Sequence, residues 1–290
     1  NSTQHPALPS LTNRATREAL FDRSVHRADR GDANDTRALI AEIVQLRARK
    51  AALFGEPDWA SYTMYDRMAK EPKTALDFMR QMVPPLAATQ RREAALLNAA
   101  IEADGKDFEV RPWDWQLYAD KLKMERYAFD EETVKPYFEV TRVLEDGVFF
   151  AANKLYGLSF RKRTDLPVWH PDVTTYSVFD HDGSELGLFY FDPYQRDSKR
   201  GGAWMSTLVD QSRLFGTRTV AYNVLNIPKA AEGQPQLVSW DNVNTMFHEF
   251  GHALHYLMSD LKYASGGAVA RDFVEYPSQV NEMWASDPAV

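Results

Sequence analysis

The chain has no cysteine in its 290 residues, which excludes a disulfide framework, a thiolate metal ligand and a cysteine nucleophile together. No hydrophobic run approaches the ~20 residues that a membrane-spanning helix needs. Basic residues are in deficit: 34 Lys and Arg against 41 Asp and Glu leave a formal net charge of -7 and a pI near 5.6. Such a chain repels phosphates, so nucleic acid is not an expected partner. The densest basic cluster, Arg161-Lys162-Arg163, reads as a solvated strand end or turn. The opening residues, Asn1-Ser2-Thr3-Gln4-His5-Pro6, carry no signal-peptide pattern and no initiator Met, which reads as an internal start. The cytoplasm is the expected compartment, with the periplasm as the alternative if an upstream signal is removed, and a monomer is expected.

Apolar residues are plentiful. At 44% hydrophobic the chain can bury a core, and its length allows one or two domains. The first half carries helical periodicity. Asn34-Asp35 precedes an amphipathic run that ends near Gly55, Thr74 to Ala103 forms a longer one, and Trp113–Arg126 and Glu131–Tyr156 read as two more helices. Pro84-Pro85 should break or kink the second of these. The period then changes to two. Val173 to Phe179, the turn residues His181-Asp182-Gly183 and Leu186 to Phe191 predict a hairpin, and Thr219 to Asn223 a further strand. The expected fold is mainly α with a small antiparallel sheet. Its expected organisation is a helical region over 1–160 and a sheet-bearing region over 161–290.

One stretch of this second region carries chemistry: His248-Glu249-Phe250-Gly251-His252. Histidines four apart on a helix lie about 40° apart around it and one turn apart along it, so both imidazoles can reach one zinc ion. Glu249 flanks that ion without needing to ligate it, where a base for an attacking water belongs. With seven histidines this spacing arises by accident in roughly one such chain in a hundred, so context has to support it. It does. Ser239 reads as an N-cap with Asp241 in the first turn, and Val243, Met246, Phe247, Phe250, Ala253, Leu254 and Leu257 supply buried faces.

A catalytic zinc needs a third protein ligand and an open position. Downstream candidates are Asp260, Asp272, Glu275 and Glu282. Asp260 sits on the tail of the same helix and cannot easily fold back to the ion. After a break at Ser265-Gly266-Gly267, a helical 271–282 segment would put Asp272, Glu275, Gln279 and Glu282 within an arc of about 80°. Pro277 must kink that helix or lie near its start. Spacing alone leaves Glu275 and Glu282 both open. His255, about 10.5 Å along the axis from His248, is better read as a packed or supporting histidine.

His248 to His255 (HEFGHALH) followed by Arg271 to Gln279 (RDFVEYPSQ) resembles the thimet oligopeptidase family of zinc metallopeptidases. Leu186 to Asp192, Lys199 to Met205 and Leu237 to Met246 are similar to its bacterial peptidyl-dipeptidase branch. The matches cover about the last hundred residues. The resemblance implies a mainly-α, neurolysin-like metallopeptidase architecture with the sheet next to the motif helix. It makes His248, His252 and Glu275 the ligands of one Zn2+ ion, Glu249 the catalytic base, and Glu282 a carboxylate supporting the ligands. It also puts Gly201-Gly202-Ala203-Trp204 beside the cleft, where Gly202 and Ala203 would hold the peptide backbone.

The implied activity is zinc-dependent hydrolysis of short peptides, with release of C-terminal dipeptides. The alternatives are an oligoendopeptidase of the same family and an inactive, zinc-containing peptide-binding module. The family pattern continues past Val290 with a Gly- and Tyr-rich segment that supplies a transition-state hydroxyl. The chain is therefore expected to be a partial catalytic region, weakly active by itself.

Overall fold

The structure is a computed structural model that describes residues 5–128, 131–264 and 269–290. The expected break at Ser265-Gly266-Gly267 lies outside the described residues. The chain forms two compact units, Asn1–Asp130 and Glu131–Val290. This boundary differs from an expected one near residue 160, because the helical segments after Glu131 pack on the sheet that follows them.

The first unit contains α1 (Arg14–Val25), α2 (Arg37–Leu53), α3 (Trp59–Met64), α4 (Pro72–Ala103) and α5 (Trp115–Tyr127). Asn13 caps α1 by accepting from the Thr16 amide, and Pro72 opens α4 in the first turn, where its missing N–H costs nothing. Pro84-Pro85 do not break α4, which runs through them as one helix. The carbonyls freed by those prolines belong to Arg80 and Gln81, both exposed, so water can satisfy them. Buried Asp114 accepts from the guanidinium groups of Arg14 and Arg17 and ties α1 to the start of α5.

The second unit begins with α6 (Glu131–Val134), α7 (Val140–Arg142), a wider π-helical segment (Val143–Phe149) and α8 (Phe150–Tyr156). The single helix expected over 131–156 is thus interrupted around Pro136, and it ends as expected at Gly157, whose φ is +74°. Five strands follow: β1 (Ser159–Arg163), β2 (Thr174–Phe179), β3 (Glu185–Tyr194), β4 (Trp204–Val209) and β5 (Thr219–Ile227). Their order is β1-β2-β3-β5-β4. The β2–β3 hairpin lies where the turn residues put it. Three pairings are antiparallel, but β3 and β5 run parallel, because the chain crosses to the far edge for β4 before returning. The sheet is therefore mixed.

One face of the sheet receives α9 (Trp240–Leu257), capped by Ser239, whose hydroxyl accepts from the Asn242 amide. Phe250 meets Phe149, Phe160 and Phe189 across this interface. Burial of one such ring is worth about 1.5–3 kcal/mol, so α9 is fixed in rotation by its apolar side. The chain closes with α10 (Glu275–Glu282) and a final 3-10 turn. No helix among the described residues is long and apolar enough to cross a membrane.

Candidate metal centre

The apolar face of α9 points into the sheet, so the opposite flank carries His248 and His252 at the surface that α10 covers. Their rings lie 4.9 Å apart, centroid to centroid. Glu275, the first residue of α10, turns one carboxylate oxygen to both: His248 Nε2 is 3.1 Å and His252 Nε2 3.0 Å from Glu275 Oε2. Adjacent ligand atoms around a tetrahedral zinc lie about 3.3 Å apart, so these three donors stand at nearly the spacing that a single ion requires. Among the described residues they are the group of His, Cys, Asp and Glu close enough to share a metal.

The protonation states suit the same purpose. Burial lowers the His252 pKa, with Glu275 opposing it and His248 adding to it, which favours the neutral imidazole that binds metal. Burial raises Glu275, but a hydrogen bond from Ser278 and the two histidines outweigh it and leave the carboxyl below its ordinary value. Ser278 Oγ lies 3.1 Å from Glu275 Oε2. The Glu275 side chain remains 52% exposed, so the donor set opens toward solvent on one side. Two imidazoles and one carboxylate, with an open side, fit a catalytic zinc.

The flanking carboxylates differ in environment. Glu282 Oε1 lies 2.6 Å from His248 Nδ1, which orients the ring with Nε2 toward Glu275. Glu249 is only 6% exposed, and burial pushes its carboxyl up to about 7, with His248 pulling down and Glu275 pushing up. A carboxyl in that range can both accept and return a proton near neutrality.

The remaining candidates lie elsewhere. Asp260 pairs with Arg213 at the surface. Asp272 falls in the turn before α10, not on the helix, so the expected four-residue stripe loses its first member. Pro277 sits in the first turn of α10, the position that leaves the helix intact. His255 lies edge-on to Tyr256 and lines an apolar cavity of about 690 Å³ between α9 and α10. Gly202, with φ +91°, lies just before edge strand β4, and its carbonyl already accepts from Asn226. Ala203 packs its side chain against the core.

Two positioning residues escaped the sequence reading. Asn281 Nδ2 donates to the Phe247 carbonyl at 2.7 Å and clamps α10 onto α9. Gly251 provides the space for that contact, and its signal was a helix-weakening glycine in an otherwise amphipathic run.

Comparison with known proteins identifies the family. The model of Peptidase family M3 matches residues 7–290. The dipeptidyl carboxypeptidases of Salmonella typhimurium and Escherichia coli are 50% and 49% identical over all of this chain, which covers 43% of each. Oligopeptidase A of Salmonella typhimurium is 34% identical over 98% of the chain and 43% of that protein. The chain thus spans less than half the length of the curated relatives it matches. The match extends over nearly the whole chain, and the chain belongs to peptidase family M3.

Proposed function

We propose that this chain forms the metal-bearing part of a zinc peptidase that releases C-terminal dipeptides from short peptides. The observation that carries the reading is the convergence of His248 Nε2, His252 Nε2 and Glu275 Oε2 on one point. These residues would hold the zinc, which when bound supplies Lewis acidity for the scissile carbonyl and acidifies water. Glu249 takes the proton of the attacking water and passes it to the leaving amine. Its buried, raised carboxyl suits both directions of transfer. Glu282 keeps His248 in one tautomer. Edge strand β4, entered through Gly202 and Ala203, offers main-chain groups to an extended peptide.

The dipeptide-releasing mode is favoured over an endopeptidase because identity to the dipeptidyl carboxypeptidases, 50%, exceeds the 34% to oligopeptidase A. Two measurements test the reading. Glu249→Gln should retain zinc while peptide cleavage falls at least about a hundredfold, in this chain and in a family-length protein containing it; unchanged cleavage removes Glu249 from the chemistry. Amidating the substrate's C-terminus should abolish cleavage, whereas an endopeptidase would be indifferent.

A further inference from the structure

The loop over 195–203 joins β3 to the start of β4, and its anchoring is unusual. The Lys199 side chain is 4% exposed, and its ammonium lies among four oxygens: Asp192 Oδ1 at 2.9 Å, and the carbonyls of Asp192, Tyr194 and Leu225 at 3.0, 2.5 and 2.8 Å. Two of these carbonyls belong to β3 and one to β5. They lie where the parallel ladder between those strands slips, from Asp192 opposite Val224 to Tyr194 opposite Ile227. Pro193 has no N–H to give at this point, and a charged donor occupies the gap instead. Asn226, at the end of the same β5, reaches the other end of the loop: its Nδ2 donates to the carbonyls of Arg200 and Gly202, both at 2.7 Å. The turn that delivers the chain to β4 is therefore held at both ends by one buried cation and one amide. Arg196 also ties the loop to Asp192, through both carboxylate oxygens at 2.7 Å, but it does so at the start of the loop, upstream of the Gly201-Gly202 turn.

We infer that Lys199 and Asn226 are positioning residues for peptide binding: they fix the Gly202–Ala203 turn, and so the register and direction in which β4 presents its free edge. This rests on the reading that β4 holds the substrate backbone. Main-chain recognition along an edge depends on alignment of successive donors and acceptors, so a loose entry to the strand costs affinity for an extended peptide while leaving the metal ligands on α9 and α10 untouched.

The test compares two probes on the zinc-loaded chain by titration calorimetry: acetohydroxamate, which needs only the metal, and a short peptide hydroxamate, which also needs the edge. Lys199→Met and Asn226→Ala should each weaken the peptide probe about tenfold, leave acetohydroxamate and zinc affinity unchanged, and speed hydrogen exchange at the amides of β4. Asn226→Ala removes no buried charge, so it decides the matter if Lys199→Met does not fold. Equal peptide affinity in Asn226→Ala and wild type overturns the inference. If wild type itself binds both probes alike, the role of β4 is lost, a different failure that leaves the metal assignment standing.

Discussion

Gly251 on α9 and Asn281 on α10 touch as closely as two helices allow. A Cβ added to Gly251 would fall 2.8 Å from Asn281 Cβ, 2.8 Å from Ser278 Cα and 2.9 Å from the Pro277 carbonyl. Two of these neighbours are backbone, so they can give way only if α10 moves. Since α10 carries Glu275 and Glu282, the spacing of all the candidate metal-binding groups depends on the missing side chain at position 251. Gly251→Ala should therefore lower zinc affinity at least about tenfold and destabilise the fold by about 1–3 kcal/mol. A variant that folds and binds zinc like wild type would show that α10 shifts freely.

The Glu282–His248 contact makes a different prediction, because its carboxylate would touch a ligand and not the ion. Glu282→Gln preserves shape but removes the charge that holds Nδ1–H. Zinc affinity should fall about 10–100-fold with little change in thermal stability without metal. A loss as complete as that of His248→Ala would instead make Glu282 a ligand.

How far the site was legible follows from what each residue depends on. The helix that carries His248 and His252 was legible because its period, its Ser239 cap and its paired histidines are all local, and it forms over Trp240–Leu257 with that cap in place. Glu275 and Glu282 could not be separated by spacing, since both lie on one flank of α10; only the fold turns Glu275 to both Nε2 atoms and Glu282 to Nδ1. The parallel β3–β5 pair was invisible for a similar reason. Alternation reports which face a residue takes, not the direction of its neighbour. That Pro84-Pro85 leave α4 unbroken was not legible, because the cost of a proline in a helix depends on whether water reaches the freed carbonyls, which no local pattern states.

Asp192 ties acid stability to one buried network. It is 1% exposed and accepts from Arg196 through both oxygens at 2.7 Å, from Trp169 Nε1 at 2.9 Å and from Lys199. Burial alone would raise its pKa, but the bonds from Arg196, Trp169 and Lys199 outweigh that and hold the carboxyl below its ordinary value. A carboxyl depressed on folding contributes stability that is complete above its unfolded pKa, near 4, and is lost as pH falls through the lower folded value. Asp192→Asn should thus cost about 3–5 kcal/mol at neutral pH by leaving buried Lys199 without its counter-charge, and its stability should fall less steeply than wild type below about pH 4. Parallel acid limbs in denaturant titrations of the two proteins would rule this network out as the source.

Metal removal separates ligand from base without any measurement of turnover. A ligand that binds only the folded chain adds about 2.7 kcal/mol when present at a hundredfold excess over its dissociation constant, which for a unit of this size raises the melting temperature by about 5–10 °C. Zinc should therefore shift the melting of wild type, and a chelator should reverse the shift. His252→Ala should melt at one temperature with or without zinc, because His248 and Glu275 alone leave the ion two ligands. Glu249→Gln should keep the full shift, since Glu249 stands beside the donor set and not in it. A Glu249→Gln protein that no longer responds to zinc would convert Glu249 from proton carrier to metal ligand, and a His252→Ala protein that still responds would move the ion elsewhere.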